Sequence, residues 1–317
     1  MKTPELVVSA IPHVHGGNSV QKMMINFMIA LLPAVGMSVY FFGPGALVVI
    51  AISVGSTVAW EAIIQKVMGR PVVISNLTGA ASGLVFAMML PPTAPWWMIC
   101  LGTFIIILLG KEVYGGIGNN PFNGVLIAWV VLQMSFRGEM AGWIYVAAEL
   151  LTESTPLEVL KFEGLSSLID YSYYTTSDLF IGRTTGFIGE VSAIALLIGG
   201  VFLIIRRVIS WHIPVGFIAG VVFLSGIFWL VNPDECADPI FHLLAGGVFL
   251  AAFFVATDMP SSPTTPIGML TYGFLCGVVT MVIRQWGAWD DGAFYSVFLI
   301  CMLTPLLDKF KPKAYGR

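Results

Sequence analysis

The chain has 317 residues, of which 57% are hydrophobic and only 10% are charged. Soluble domains carry about 25% charged residues, so this chain has too little charge to cover a water-facing surface, and lipid must solvate most of it. The formal net charge of −3 identifies no partner, and the sequence shows no basic nucleic-acid patch, no Walker motif and no dinucleotide-binding fingerprint. These features exclude a soluble globular protein and a nucleic-acid-binding protein.

Apolar segments with the length of membrane-spanning helices recur along the chain, and one full span needs about 20 mostly apolar residues. The pattern predicts an all-α integral membrane protein with about ten transmembrane helices. The candidates are Met23–Phe42, Ala46–Ile64, Leu77–Leu90, Trp96–Leu109, Phe122–Met134, Phe187–Ile205, Val215–Val231, Phe241–Ala256, Ile267–Ile283 and Ala293–Leu306. Several are shorter than a full span, which is tolerated where a helix is broken or packed inside a bundle. Gly79 and Gly83, in the third candidate, favour close helix packing.

Two halves of five spans each are predicted, residues 23–134 and 187–306. Each half has a proline-rich turn after its third span, at Pro91–Pro95 and at Pro260–Pro266. Because five is an odd number, the second half must be inverted relative to the first. Inverted repeats place binding sites near the interface between the two halves, often on broken helices.

Positive charge sets the predicted orientation, because Lys and Arg accumulate in cytoplasmic loops. With the N-terminus inside, eleven of the 15 Lys and Arg residues fall on the inner side and four on the outer side. The cytoplasmic segments are then residues 1–22 and the basic tail 307–317, and residues 135–186 form an extracytoplasmic loop. The predicted location is the inner (cytoplasmic) membrane, with multiple spans, both termini in the cytoplasm and no cleavable signal peptide.

The extracytoplasmic loop contains the stretch Ser154–Glu158, with Thr155 three residues before Glu158 and directly before Pro156. This spacing predicts a helix N-cap with a capping box and a proline at the first helical position. Spacing alone favours a structural cap. A helix N-terminus also offers free backbone N–H groups and a partial positive charge, so we expect a phosphate at Thr155 to be stabilised there.

The stretch Gly115–Gly124, at the predicted inner end of the fifth span, is rich in glycine and in amide side chains. The simpler interpretation is a turn between helices, which this composition satisfies by itself. The alternative is a polar pocket in which Asn120 and Asn123 hydrogen-bond a heteroaromatic ring or a substrate carbonyl.

Ionisable residues are few in and near the predicted spans, and those inside the bilayer would be functional candidates. The residues are Glu61, Glu112, Glu190, His242 and Asp258. Each lies near the end of a span, so we expect most of them at the membrane interface. The four cysteines show no C-x-x-C spacing and no neighbouring His cluster, so the sequence predicts no metal site within the chain and leaves open a ligand shared with another chain.

Several stretches, which together cover nearly the whole chain, resemble the NqrB/RnfD family and, within it, the D subunits of Rnf complexes. The best-matching stretches are Ser9–His13, Lys111–Asn123, Trp211–Pro214, His242–Gly246 and Ala256–Asp258. The resemblance implies an inverted five-plus-five bundle, similar to that of urea transporters. It implies a membrane electron-carrier subunit of an ion-translocating ferredoxin:NAD oxidoreductase (Rnf) complex. The implied partners are membrane lipid and other Rnf subunits, including the FMN-bearing G subunit and the membrane and iron–sulfur subunits.

The resemblance includes a flavin-attachment motif, in which family members carry FMN on a threonine through a phosphoester. Laid onto this chain, the motif places the covalent FMN at Thr155 and gives Glu149, Thr152 and Ser154 as further motif residues. Glu149 stands where Asp is usual, and Ser154 stands where Ala is usual.

A second flavin, riboflavin or a similar compound, is also implied, held in the membrane part without a covalent bond. We place it near Asn120 and Asn123, in the polar pocket that the sequence leaves open there. The FMN on Thr155 would take electrons from a flavoprotein partner outside the membrane and pass them inward.

A competing function stays open at this point. A small-solute channel or transporter also suits an inverted-repeat helix bundle with polar re-entrant turns. A scaffold for partner subunits accommodates the short spans too, but it does not account for the Thr155 match. A covalent flavin separates these interpretations, because only the redox subunit requires one.

Overall fold

The computed structural model describes residues 19–141, 154–170 and 176–309, which form helices and no β-strands. The helices are α1 Val20–Phe42, α2 Pro44–Val67, α3 Thr78–Met88, α4 Trp96–Ile107, α5 Gly124–Ser135, α6 Arg137–Met140, α7 Pro156–Phe162, α8 Leu165–Asp170, α9 Thr176–Ile181, α10 Ala193–Ile205, α11 His212–Val231, α12 Pro239–Leu244, α13 Val248–Leu250, α14 Pro266–Trp286, α15 Ala293–Cys301 and α16 Thr304–Leu307.

Four helices, α1, α2, α11 and α14, are each long and apolar enough to cross a membrane. They coincide with the first, second, seventh and ninth predicted spans. Helices α11 and α14 touch through facing glycines, with Gly216 against Gly273 and Gly220 against Gly277. Small residues allow the two backbones to approach, which is how membrane helices gain packing contacts. The chain is a multi-pass helical membrane protein.

The short helix α3 lies inside the bundle, and most of its side chains are buried. Gly83 packs against the backbone of Ser53 on α2, and Gly79 packs against the Glu61 carboxylate. A side chain at either position would displace α2, so the predicted close packing at these two glycines is confirmed. A helix enclosed in this way needs no full membrane-spanning length.

The eighth predicted span, Phe241–Ala256, is not one helix. The helix stops after α12 and restarts at α13, with Gly246 in the left-handed region at φ +75°. Arg284 of α14 donates to the carbonyl oxygens of His242 at 2.5 Å and Ala245 at 2.9 Å. The guanidinium group satisfies carbonyls that the interrupted helix leaves without partners, which makes a break tolerable in a buried place.

Two segments of the described chain adopt the wider π-helical geometry, Leu108–Glu112 directly after α4 and Ala251–Val255 directly after α13. Turns of this kind are rare and often occur at functional sites. Gly110, inside the first π turn, lies directly against Gly124 at the start of α5, where neither position has room for a side chain. The first π turn is therefore fixed against the first turn of α5.

The predicted loop 135–186 is largely helical where the structure describes it. Helices α7, α8 and α9 bury a small apolar cluster against the region around α12. The cluster consists of Leu157, Val159, Leu168, Leu179, Ala237, Phe241 and Ala245. The segment that carries Thr155 is therefore a packed layer rather than a free loop, because burial of its apolar side chains away from water stabilises the packing. Glu149 and Thr152 lie outside the described residues.

Candidate functional site

The predicted N-cap at Thr155 is present. The Thr155 hydroxyl accepts a hydrogen bond from the Glu158 backbone N–H at 3.2 Å, and the Glu158 carboxylate accepts one from the Thr155 N–H at 3.4 Å. Pro156 occupies the first helical position. This reciprocal pair is a complete capping box.

The capping box reduces the number of backbone N–H donors that a phosphate at Thr155 could use. Helix α7 has only seven residues, and the N–H groups of Thr155 and Glu158 are already hydrogen-bonded within the box. These two N–H groups are therefore engaged, and the stabilisation of a phosphate at this helix start stays a prediction. Any phosphate on Thr155 must take other donors or displace the Glu158 carboxylate.

The hydroxyl of Thr155 faces inward, and the residue is only 7% exposed. Its oxygen also donates to Asp290 Oδ2 at 3.2 Å, across 135 residues of sequence. Burial, followed by the nearby Asp290 charge, raises the pKa of the Glu158 carboxyl, while the hydrogen bond from the Thr155 backbone opposes that rise. Thr155 therefore joins α7 to the turn after α14.

A small polar pocket surrounds the Thr155 hydroxyl, with a free volume of about 40 Å³. One water needs roughly 10–15 Å³ of such volume, so only a few waters fit. Three buried polar atoms of its lining have no hydrogen-bond partner among the described residues: Gln133 Oε1, Glu190 Oε1 and the Tyr295 hydroxyl. We call this space the Thr155 pocket.

Aromatic and basic side chains pack around Trp289, which lines the Thr155 pocket. Trp289 lies between Tyr295, stacked at 5.1 Å between ring centroids, and Arg137, whose guanidinium carbon is 4.9 Å from the ring centre. Lys161 of α7 donates to the carbonyl oxygens of Trp289 at 2.5 Å and Ile283 at 3.3 Å. Both faces of Trp289 are thus covered, and Lys161 fastens α7 to the same turn.

Asp291, the neighbour of Asp290, holds the broken helix in place. Its Oδ1 accepts from Arg284 at 2.8 Å, and its Oδ2 accepts from the Gly247 N–H at 2.8 Å. Sequence reasoning assigned no role to either aspartate. Two adjacent carboxylates shortly after a membrane helix could have indicated buried cation partners, because a charged side chain near the membrane is costly unless it is paired.

A larger cavity lies at the other end of α5, with a free volume of about 340 Å³ and mostly apolar walls. We call it the Lys111 cavity. Its polar lining consists of Thr78, Ser82, Lys111, Asn120, Asn123, Thr257 and Asp258. The volume and the few polar groups are typical of small-molecule sites.

Both predicted residues, Asn120 and Asn123, line the Lys111 cavity. Their amides already make local hydrogen bonds: Asn120 donates to the Phe122 carbonyl oxygen at 2.9 Å, and Asn123 caps α5 by accepting from the Val125 N–H at 2.9 Å. Asn123 also donates to the Val255 carbonyl oxygen at 3.3 Å, in the second π turn. The structure thus contains both the turn and the pocket that the sequence left as alternatives.

Two of the carboxylates expected at the membrane interface are enclosed by protein. Glu61 and Glu112 are each 1% exposed. Lys111 pairs with Glu61, while Arg70 pairs with Glu112 at 3.1 Å and Gln65 donates to the same carboxylate at 3.0 Å. Burial of a carboxylate is tolerated only when a cation or several donors accompany it. Sequence reasoning counted Lys111 only as a surface charge.

No group of three or more His, Cys, Asp or Glu side chains is placed to hold a metal ion among the residues that the structure describes. The cysteines at positions 100, 236, 276 and 301 are all free thiols.

Known proteins resemble the chain along almost its full length. A family model described as the NQR2, RnfD, RnfE family matches residues 7–316. The D subunit of the Na⁺-translocating ferredoxin:NAD⁺ oxidoreductase complex of Acetobacterium woodii is 40% identical, over 100% of this chain and 97% of that protein. The D subunit of the proton-translocating complex of Clostridium ljungdahlii is 36% identical, over 98% and 96% of the two chains. The D subunit of the ion-translocating oxidoreductase complex of Aliivibrio salmonicida is 34% identical, over 98% of each. The chain belongs to the NQR2, RnfD, RnfE family.

Proposed function

We propose that this chain is the D subunit of an Rnf-type ion-translocating ferredoxin:NAD oxidoreductase and carries electrons on an FMN esterified to Thr155. The family membership and the names of its relatives, which are D subunits of such complexes, support the place in the complex. The match of Thr155 to the flavin-attachment motif supports the covalent FMN. The chain serves as one redox subunit of a translocase and is not catalytic alone.

The observation that carries the proposal is the placement of the Thr155 hydroxyl. It stands at a sharply defined helix start, next to a carboxylate that accepts its hydrogen bond at 3.2 Å. A threonine hydroxyl is the group that a phosphoester linkage needs. FMN supplies electron-transfer chemistry when bound, and the protein's task is to hold and orient it.

The Thr155 pocket accommodates the linkage but not the flavin ring. Its free volume of about 40 Å³ is far below the roughly 300 Å³ at which small-molecule sites begin. The ring therefore lies outside the pocket, where a partner flavoprotein can reach it. A phosphoester replaces the hydrogen of the Thr155 hydroxyl, so the hydrogen bond to Asp290 is lost. The negatively charged phosphate would also be repelled by the carboxylates of Asp290 and Glu158. We therefore expect the Thr155 side chain to turn away from Asp290 after attachment, toward the cations of Lys161 and Arg137.

A non-covalent flavin, riboflavin or a similar compound, is proposed for the Lys111 cavity beside Asn120 and Asn123. The cavity volume of about 340 Å³ and its mostly apolar walls support this. Helix α5 connects the two places, with Asn123 at the cavity and Gln133 at the Thr155 pocket. Ten helical residues span about 15 Å, a short path for electrons to pass inward.

We propose ten membrane helices in two inverted five-helix repeats, urea-transporter-like, with repeats at 23–134 and 187–306. Similar contacts in the two halves support the repeat. Lys111, after the fourth predicted span of the first half, reaches Thr78 at the start of α3 at 2.7 Å. Arg284, near the end of α14, which contains the fourth predicted span of the second half, reaches Ala245 just before α13.

The excess of positive charge on one side supports termini in the cytoplasm, the Thr155 segment outside, and the inner membrane as location. The partners proposed are the FMN-bearing G subunit on the outer side, which would supply electrons to Thr155, and the membrane and iron–sulfur subunits of the complex.

The test is in-gel flavin fluorescence of the denatured chain, expressed with a flavin transferase. The wild-type band fluoresces, and the band of Thr155→Ala does not. Thr176→Ala, at an exposed threonine of the same segment, is the matched control and keeps the fluorescence. A dark wild-type band would contradict the covalent flavin and favour the solute channel or transporter.

A further inference from the structure

The two π-helical turns of the described chain open onto one space, the Lys111 cavity. The first turn contributes Gly110 and Lys111 to its wall, and the second contributes Phe254. Asn123 joins the two turns by donating to the Val255 carbonyl oxygen. Two independent segments of rare geometry at one cavity mark it as a functional place rather than a packing defect.

The first π turn directs two consecutive charges to different partners. Lys111 reaches Glu61 and donates to the Thr78 hydroxyl at 2.7 Å. Glu112, the next residue, is bound by Arg70 and Gln65. Each carboxylate therefore has its own cation, and the Lys111 ammonium is held at the cavity wall by partners on α2 and α3.

The Lys111 ammonium has a further donor for a cavity ligand. An ammonium group carries three N–H donors, and Glu61 and Thr78 take two of them. Asp258, the carboxylate that lines the cavity, is engaged by the Ser261 hydroxyl at 2.9 Å. Among the described residues that line this mostly apolar cavity, Lys111 is the one lysine or arginine.

We propose that Lys111 is the residue that positions the flavin ring in this cavity and favours its reduced, negatively charged form. The inference rests on the proposed non-covalent flavin. An oxidised isoalloxazine ring is neutral, and it gains one negative charge for each electron taken up without a proton. The electron comes from the reduced FMN at Thr155, and no bond forms or breaks. A cation beside the ring in a place of low dielectric stabilises the added charge.

The test uses the full-length chain in the Thr155→Ala background, loaded with riboflavin, so that only the non-covalent flavin is measured. The readouts are riboflavin per chain and the midpoint potential of the bound flavin. Lys111→Met lowers the affinity for reduced riboflavin relative to oxidised riboflavin about tenfold, which corresponds to about 30 mV for a two-electron couple. Lys111→Arg keeps the charge and stays near the wild-type potential.

A second variant covers the case in which Lys111→Met fails to fold because it leaves Glu61 buried without a cation. Lys111→Met with Glu61→Gln removes both charges of the pair, and it shows a smaller fall in midpoint potential, because removal of the Glu61 charge offsets part of the loss of Lys111. Glu61→Gln alone releases Lys111 from its counter-ion and raises the potential. Riboflavin bound at an unchanged potential in the double variant would overturn the role of Lys111 alone. No riboflavin bound even with Lys111 present would overturn the inner flavin as well, and would leave the covalent FMN to its own test.

Discussion

The Thr155 pocket has a free volume of about 40 Å³ and is lined by the carboxylates of Glu190, Asp290 and Asp291, whereas the Lys111 cavity has about 340 Å³, mostly apolar walls and a lysine. A ligand that binds by burial needs enclosed volume and apolar contact, which only the cavity supplies. A ligand fixed by a covalent bond needs neither. The difference explains why one chain would attach one flavin to a threonine and hold another by packing.

The two places also stabilise their polar groups differently. Around the Thr155 pocket, a buried arginine holds Asp291 and two carbonyl oxygens of a broken helix. Around the Lys111 cavity, two ion pairs hold a π turn against α2 and the residue Arg70 after it, and a hydrogen bond to Thr78 holds the turn against α3. Arg284 therefore fixes the backbone of the broken helix, whereas the ion pairs around the cavity place the Lys111 ammonium at the cavity wall.

The largest expected effect comes from Arg284, on the structural side of the comparison. Arg284→Met leaves Asp291, whose side chain is only 11% exposed, without its cation and removes two donors from the helix break. Breaking a buried ion pair in this way costs about 3–5 kcal/mol. Thermal unfolding of the purified chain in detergent measures the loss. The control is Arg183→Met, because Arg183 is 66% exposed and 3.8 Å from Asp178, and such a pair contributes roughly 0–1 kcal/mol. Equal losses in the two variants would contradict the role of Arg284.

Filling the Lys111 cavity should separate the two flavins. Val85 is buried and lines the cavity, so Val85→Trp occupies the volume that a ring needs, at a cost of about 1–3 kcal/mol from overpacking. Non-covalent flavin extracted from the folded chain falls to near zero, while fluorescence of the covalent flavin at Thr155 stays. Retention of both flavins would show that the cavity is not the site. Val131→Trp, at a half-exposed position of α5 outside the cavity lining, is the control.

The smallest expected effect is a change in the pH dependence of stability, caused by Asp290 in the lining of the Thr155 pocket. Asp290→Asn keeps a side-chain oxygen for the Thr155 hydroxyl and removes a charge that raises the pKa of Glu158. A carboxyl whose pKa is raised by folding gives stability below its unfolded pKa, and that stability is lost as pH rises through the folded pKa. Asp290→Asn therefore reduces the loss of stability that accompanies deprotonation of Glu158 as pH rises above about 4, the ordinary pKa of a glutamate. An unchanged pH profile of thermal unfolding would show that the Asp290 charge does not reach Glu158.

Local features could be predicted from the sequence, and long-range ones could not. Thr155 and Glu158 lie three residues apart, so the capping box follows from spacing, and the apolar runs located the four long helices. The contact between Thr155 and Asp290 spans 135 residues and leaves no local pattern. The break at Gly246 depends on Arg284, which no window around the glycine contains. Lys111 appeared as one of many loop charges, because only the fold places Glu61 and the cavity beside it.

The covalent flavin at Thr155 is the central claim, and intact mass with peptide mapping of the protein from its native host tests it most directly. The account predicts one FMN linked as a phosphoester, located on the peptide that covers Thr152–Lys161, and absent in Thr155→Ala. An unmodified mass with the flavin transferase present, or a flavin mapped to another residue, would contradict it.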